Sequence, residues 1–137
     1  MEKNELTLEA TIANIEVVTD FINEKLDEMD CPMKAQLQID VAIDELFGNI
    51  AHYAYEPEIG MATVCIEKLD DPFGVAITFI DGGKPYNPLQ KDDPDVTLSA
   101  SDREIGGLGI YMVKKTMDAM EYEYRDQKNI LKITKRF

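Results

Sequence analysis

The chain lacks several residue types that would narrow its function at once. Its 137 residues contain no tryptophan, one histidine and two cysteines. Cys31 and Cys65 form neither a CxxC pair nor a dense framework, which predicts two free thiols in a reducing compartment. The single histidine, His52, is more typical of a structural or surface residue than of a metal ligand, so we assign it no metal role.

Long apolar runs and clustered basic residues are missing too. No run reaches the eighteen or so residues that a membrane-spanning helix needs, and the start MEKNELTLEA has no apolar signal core. With 14 Lys and Arg against 27 Asp and Glu, the formal charge is −13. A nucleic-acid surface needs clustered Lys and Arg, so direct DNA or RNA binding is not expected. We predict a cytoplasmic protein without a membrane segment.

What is present is the composition of an ordinary globular chain. The length predicts a single domain over residues 1–137, large enough to bury a core without disulfides. An acidic surface steers basic partners toward it. Any phosphate site in this negative field would need local N–H donors and a divalent metal.

Apolar periodicity predicts the element order β-α-α-β-β-loop-α-β-β. Thr11 or Asn14 is the expected cap of the first helix, and Cys31-Pro32 marks the break before the second. The predicted helices cover residues 11–30, 32–53 and 108–120, and the predicted strands cover residues 5–10, 61–69, 73–80, 121–125 and 130–137. Residues 84–105 show no periodicity, which predicts a loop of about twenty residues that is a candidate lid.

Glu45 and Asn49 lie one turn apart on the second predicted helix, which places their side chains together, roughly 6 Å apart at Cβ. The Asn oxygen suits Mg²⁺, and the Glu can take a proton from a hydroxyl or a water. A solvated Glu and Asn on an amphipathic helix is the alternative that these two residues alone leave open.

Two glycine-containing blocks follow. Asp81-Gly82-Gly83 is typical of a tight turn, but it leads into the long loop rather than into a partner strand. Asp81 could accept a hydrogen bond from an exocyclic amine such as that of adenine, and Gly83 would let the base approach the backbone. The block from Gly106 to Gly109 opens a helix, so it is either a flexible hinge or a set of free N–H groups for phosphate. Neither a Walker A motif nor a Rossmann fingerprint is present.

Taken together, these blocks resemble the N, G1 and G2 boxes of GHKL ATPases. The resemblance rests on Glu45 and Asn49, on the segment DGGKPYNP that begins at Asp81, and on GGLGIYMVK that begins at Gly106. Over nearly its whole length the chain is similar to the stand-alone anti-sigma-factor serine/threonine kinases. The resemblance implies an α/β two-layer sandwich (α+β) of the Bergerat type. Helices would cover one face of a mixed, mostly antiparallel sheet, with ATP beneath a lid at about 84–105.

The same resemblance implies residue roles. Glu45 would be the catalytic base and Asn49 the Mg²⁺ ligand, and Asp81 would bind adenine. The other nucleotide-binding positions that it implies are Gly83, Asn87, Gly106, Gly107, Leu108 and Gly109. Family members commonly dimerise, bind a sigma factor and phosphorylate a Ser or Thr of a small STAS-type antagonist, an anti-anti-sigma protein.

Three functions are left open. The first is a kinase that transfers the γ-phosphoryl group of ATP to the antagonist. The second is a regulatory module that binds nucleotide and acts by sequestering a partner, with little or no phosphorylation. The third is a structural domain whose glycine clusters are accidental and which binds no nucleotide. The sequence favours the kinase, because a nucleotide-gated clamp has no need of a base at position 45.

Overall fold

The structure is a computed structural model that describes residues 4–90 and 107–137, with residues 90, 107 and 108 described by their backbone alone. The order of elements in these ranges agrees with the prediction. The elements are β1 (Glu5–Glu9), α1 (Ile15–Glu28), α2 (Met33–Asn49), β2 (Met61–Asp70), β3 (Phe73–Asp81), α3 (Gly107–Thr116), β4 (Ala119–Arg125) and β5 (Lys128–Arg136). Most of the predicted lid, residues 91–105, lies outside the described residues.

The strands form one sheet in the order β1-β2-β3-β5-β4. Both predicted hairpins are present, β2 with β3 and β4 with β5. Each of the four described pairings is antiparallel, so the parallel pair of a mixed sheet does not occur between the strands that the structure describes. The α+β class with a mostly antiparallel sheet is confirmed. Because β5 returns beside β3, Asp81 lies directly across from Asn129.

The core lies between one face of the sheet and the three helices. Alternate residues are buried in the first half of β2, as a half-covered sheet requires, whereas residues 74–77 of the central strand β3 are all buried. Members of the core with relative exposure of 1% or less come from both layers: Val18, Ile22, Leu26, Ile39, Ala42, Ile43, Phe47, Val64, Val75, Ile77, Phe79, Val113 and Ile133. In α2 the core takes Leu46 and Phe47, which leaves Glu45 and Asn49 half-buried beside it.

The end of α2 differs from the prediction. Regular α-helix stops at Asn49, and Ile50–Ala54 continue as a π-helical turn rather than as the last turn of the helix. A π-turn widens the helix by one residue per turn and is frequent at functional sites. With 17 residues α2 is the longest described helix. None of the helices in the described ranges has both the length and the apolar character needed to cross a membrane.

Two other local predictions were wrong. The helix expected to run to residue 120 ends at Thr116, and Met120 belongs to β4, because β4 pairs with β5 from Ala119 onward. Asn14 occupies the N-cap position of α1, but its side chain makes no cap hydrogen bond. Its amide donates instead to the carbonyl of Glu9, at 2.8 Å, and so ties the start of the helix to β1.

Candidate functional site

A cavity of about 320 Å³ lies where the end of α2 meets β3, β4 and β5. This volume is at the lower end of the range for small-molecule sites, roughly 300–1,000 Å³. Its lining combines apolar side chains with three tyrosines and a few polar groups. The lining includes Leu46, Asn49, Tyr53, Ala54, Phe79, Asp81, Lys84, Tyr86, Tyr122, Asn129 and Leu131.

Asp81 supplies a buried acceptor in the cavity wall. The residue ends β3 and is 6% exposed. Its Oδ1 accepts two hydrogen bonds, from the backbone N–H of Gly83 at 2.9 Å and from the Asn129 amide at 3.0 Å. Because both bonds end on Oδ1, the acceptor capacity of Oδ2 is left for a ligand that presents an N–H group.

Asn129 is a site residue that the sequence reasoning missed. It is also 6% exposed, and its amide bonds the side chains of Asp81 and Tyr122. One signal was available in the sequence. Asn129 has the same strand parity as Leu131 and Ile133, so it is a polar residue on the face that β5 turns to the core. Buried polar groups in such places are hydrogen-bonded and specify local geometry.

Gly83 is required by its contact with Ala54. A Cβ at Gly83 would overlap the backbone carbonyl of Ala54, so only glycine fits without a backbone shift. The next residue confirms the contact, since the N–H of Lys84 donates to the same carbonyl at 2.8 Å. The proposed contact of Gly83 with adenine stays a prediction. The contact with Ala54 holds the segment after β3 against the π-turn.

Tyr55 is a second residue that the sequence reasoning did not identify. Its hydroxyl accepts from the N–H of Gly82 at 2.7 Å and donates to the carbonyl of Met61. Burial raises the pKa of this phenol above its ordinary value, so the group stays protonated and able to donate. Nothing in the sequence around Tyr55 signalled this role, which depends on the meeting of β2 and β3.

Asn87 has a local structural role in the described residues. Its Oδ1 accepts from the N–H of Leu89 at 2.9 Å, in a turn that opens the short 3₁₀ segment Pro88–Gln90. Tyr86 and Pro88 on either side contribute to the cavity wall, whereas Asn87 does not belong to the described lining. Its predicted part in nucleotide binding stays a prediction.

Glu45 lies against the first turn of α3. A Cβ on Gly109 would overlap the Glu45 carboxylate, so this glycine makes room for the acid. Burial is the main cause that raises the pKa of Glu45, and the nearby Asp44 charge adds to it. A hydrogen bond from the Asn49 side chain acts in the opposite direction and lowers that pKa. A carboxylate at this position also faces the positive end of the helix dipole.

Asn49 belongs to both parts of the site, which are the cavity that contains Asp81 and the region around the Glu45 carboxylate. Its side chain bonds Glu45, and the residue also lines the cavity that contains Asp81, whereas Glu45 is not among the described lining residues. Gly107 is the first residue of α3, and Leu108 follows it. The first N–H groups of a helix have no partner within the helix and can bind an anion. Gly106 lies outside the described residues.

The residues suit a magnesium ion that arrives with a phosphate ligand. Among the described residues there is no group of three or more His, Cys, Asp or Glu that could hold a metal. Asn49 offers one hard oxygen, and Mg²⁺ is commonly bound by one or two protein groups together with phosphates. The site can thus hold an amine-bearing ring at Asp81 and phosphates near α3, with a proton acceptor at Glu45.

Known proteins similar to this chain point in the same direction. A family model described as "Histidine kinase-like ATPase domain" matches residues 8–135, a range that contains every site residue described above. A curated relative, "Serine/threonine-protein kinase BtrW" of Bordetella bronchiseptica (strain ATCC BAA-588 / NCTC 13252 / RB50), is 27% identical over 101 residues. That similarity covers 74% of this chain and 70% of the relative.

Proposed function

Because the chain belongs to the histidine kinase-like ATPase family, we propose that it binds Mg-ATP and phosphorylates a serine or threonine of a STAS-type antagonist protein. The observation that carries the proposal is the position of the Glu45 carboxylate against Gly109, at the start of α3. Phosphates bound at that helix end would lie close to a proton acceptor. A module that binds nucleotide only to control the sequestration of a partner would not need a proton acceptor beside the phosphates.

The adenosine part of ATP would occupy the cavity between α2 and the sheet. Oδ2 of Asp81 accepts from the exocyclic amine of adenine, while Oδ1 stays bonded to Gly83 and Asn129. Tyr53 and Tyr86, which are 59% and 40% exposed, offer aromatic surface for the base or the ribose. The cavity volume suits a nucleoside and leaves the triphosphate to extend toward α3.

The triphosphate would meet the N–H groups at the start of α3, among them those of Gly107 and Gly109, with Gly107 allowing close approach. Asn49 would hold the magnesium ion through its side-chain oxygen. When bound, the ion neutralises phosphate charge, which a chain of net charge −13 needs for ATP to enter. Asn49 also bonds Glu45, and so it fixes the acid relative to the phosphates.

Glu45 would act as the general base. The serine or threonine oxygen of the antagonist forms a bond to the γ-phosphorus as the bond to the leaving oxygen of ADP breaks, and Glu45 takes the hydroxyl proton. Base catalysis of this kind contributes about a hundredfold to ten-thousandfold, and positioning supplies much of the remainder. The raised pKa of Glu45 makes it a stronger base than an exposed glutamate.

The named partners rest on the resemblance of the three boxes to the anti-sigma-factor kinases. We propose that the protein sequesters a sigma factor in the cytoplasm, that it acts as a homodimer, and that the antagonist competes for it. The printed name of the relative BtrW supports serine/threonine kinase chemistry and nothing beyond it. Net charge favours partners with basic surfaces, whose association would slow as salt rises.

The experiment that tests the proposed function is phosphoryl transfer from γ-labelled ATP to purified STAS-type proteins encoded in the same genome. Rapid, stoichiometric labelling of one of them on serine or threonine is the expected result. Tight ATP binding without transfer to any STAS-type partner would contradict the kinase and support the sequestering module.

The rate of transfer should depend on pH through Glu45. The base must be ionised, so the rate falls as pH is lowered through the pKa of Glu45, which lies above the ordinary glutamate value of about 4.3. Asp44→Asn removes the neighbouring negative charge and should move this acid limb to lower pH. Asp44 is exposed, so added salt should weaken the effect. Single-turnover rates measured across the acid range check this prediction.

Asp20→Asn is the matched control, because it removes an exposed carboxylate from α1 that does not contribute to the pKa of Glu45. It should leave the acid limb in place. An acid limb that stays where it is in Asp44→Asn, or that moves equally in both variants, would mean that another group controls the rate.

Gly109→Ala should uncouple nucleotide binding from transfer. The added methyl group displaces the Glu45 carboxylate but keeps every backbone N–H of α3, so we expect transfer to slow by about tenfold or more with ATP still bound. Gly48→Ala is the control in α2, where a Cβ meets only Ile15 at 3.8 Å. It should keep activity and raise the free energy of unfolding by about 0.5–1 kcal/mol, measured in urea. Full activity in Gly109→Ala would contradict the assigned position of Glu45.

A further inference from the structure

The Asn129 side chain has all of its hydrogen-bonding positions occupied. Its Nδ2 donates to the carbonyl of Lys84 at 2.8 Å and to Oδ1 of Asp81 at 3.0 Å. Its Oδ1 accepts from the N–H of Tyr86 at 3.0 Å and from the hydroxyl of Tyr122. A primary amide has two N–H groups and two lone pairs, so these four bonds use its full capacity.

The backbone partners decide which way the amide is turned. The N–H of Tyr86 can only donate, and so it requires the oxygen of Asn129. The carbonyl of Lys84 can only accept, and so it requires the nitrogen. A flipped amide would break both bonds at a residue that is 6% exposed and would leave a buried donor and a buried acceptor unpaired. The nitrogen is therefore the atom that faces Asp81.

The orientation of the Asn129 amide makes Asp81 the hydrogen-bond acceptor of this pair. Oδ1 of Asp81 accepts one N–H from Asn129 and another from Gly83, which occupies both of its lone pairs. The carboxylate presents acceptor capacity to the cavity. The Tyr122 hydroxyl donates to Oδ1 of Asn129, so a series of hydrogen bonds runs from Tyr122 through Asn129 to Asp81.

We propose that Asn129 is a positioning residue, itself oriented by Tyr122. Its effect is that the site prefers a nucleobase that presents an exocyclic amine to Asp81 over a nucleobase that presents a carbonyl there. Asn129 does so by holding Asp81 as an acceptor and by tying the segment from Lys84 to Tyr86 to the end of β5. The inference rests on the proposed function, because it requires the base of the nucleotide to meet Asp81. ATP and ITP are the probes: they differ at C6, an amine against a carbonyl, and at the adjacent N1, which accepts a hydrogen bond in ATP and donates one in ITP.

Asn129→Asp disrupts the two contacts that Nδ2 makes and keeps the two that Oδ1 makes. A carboxylate at position 129 still accepts from Tyr86 and Tyr122, but it places an oxygen against Oδ1 of Asp81 and against the Lys84 carbonyl. Two facing carboxylates repel one another at close range, and the pair takes up one shared proton as pH is lowered. ATP affinity at neutral pH should fall about tenfold or more relative to wild type. The deficit should shrink as pH is lowered and the shared proton restores a donor.

Tyr122→Phe is a milder variant for the same inference, since it removes one hydroxyl and leaves the ring. It frees one lone pair of the Asn129 oxygen, and ATP affinity should fall about threefold to tenfold. Tyr124→Phe is the matched control. Tyr124 is on the same strand, is 44% exposed and is not one of the four partners of Asn129, so its variant should bind as wild type does.

The experiment is calorimetric titration of wild type and the three variants with Mg-ATP and Mg-ITP, from neutral to mildly acidic pH. Thermal unfolding of each variant verifies that it is folded. A role in strand packing alone would lower the affinities for both nucleotides together. The inference expects a smaller preference for ATP over ITP in Asn129→Asp and Tyr122→Phe, and a loss that acid relieves only in Asn129→Asp. If Asn129→Asp does not fold, Tyr122→Phe still carries the test.

Two contrary results have different meanings. ATP binding by wild type, with the same ATP to ITP preference in every folded variant, would overturn this inference and leave the proposed function standing. Failure of wild type to bind either nucleotide would overturn the proposed function and this inference with it.

Discussion

Glu45→Gln should slow phosphoryl transfer by about a hundredfold to ten-thousandfold while ATP affinity stays close to that of wild type. Glutamine has the shape of glutamate and can still accept from Asn49, so the packing against Gly109 is kept. It cannot take a proton from the attacking hydroxyl. Single-turnover labelling of the antagonist measures the rate, and titration with Mg-ATP measures the affinity.

Glu45→Gln is informative because the transfer rate and the ATP affinity are measured separately. An unchanged transfer rate would show that Glu45 is not the base. Loss of ATP affinity together with transfer would assign it to nucleotide binding instead. Asp44→Gln is the matched control, because it neutralises the adjacent, exposed carboxylate of α2 and should keep transfer near the wild-type rate at neutral pH.

The second large effect is expected from Asp81→Asn, which should weaken ATP binding by about a hundredfold. An asparagine oxygen at this place would still accept from Gly83 and Asn129, which turns its NH₂ group toward the ligand. A donor then faces the amine of adenine, and a buried unpaired donor costs about 1–3 kcal/mol. ITP, which presents a carbonyl, should lose much less. Titration with both nucleotides measures the change in preference.

Asp126→Asn is the control for Asp81→Asn, since Asp126 is an exposed residue of the turn between β4 and β5. Its variant should bind ATP as wild type does. An Asp81→Asn protein that is folded and keeps its full preference for ATP would show that the base does not meet Asp81.

Much of the fold could be predicted because its elements have strong local patterns. Apolar residues at helical spacing marked α1 and α2, and two hairpins followed from strand runs separated by short turns. The end of α2 could not be predicted in the same way. Ile50 to Ala54 continue the apolar spacing of a helix, but the widened π-turn depends on contacts with Gly83 and Lys84, which come from another part of the chain.

The site was predictable where one helical turn sets the geometry, as for Glu45 and Asn49. It was not predictable where distant segments meet. Asn129 bonds Asp81 across 48 residues of sequence, and that pair exists only because β5 lies beside β3. The fit of Glu45 against Gly109 likewise depends on how α2 and α3 pack. The close contact of Gly83 with the backbone of Ala54 also depends on the meeting of distant segments.

Thermal unfolding with and without saturating Mg-ATP measures whether this cavity binds ATP. A ligand at a hundred times its dissociation constant adds about 2.7 kcal/mol to the free energy of unfolding. For a chain of this size that corresponds to an upward shift in Tm of order 10 °C. We expect such a shift in wild type and a much smaller one in Asp81→Asn at the same ATP concentration. No shift in wild type at millimolar Mg-ATP, or an equal shift in both proteins, would contradict ATP binding in this cavity.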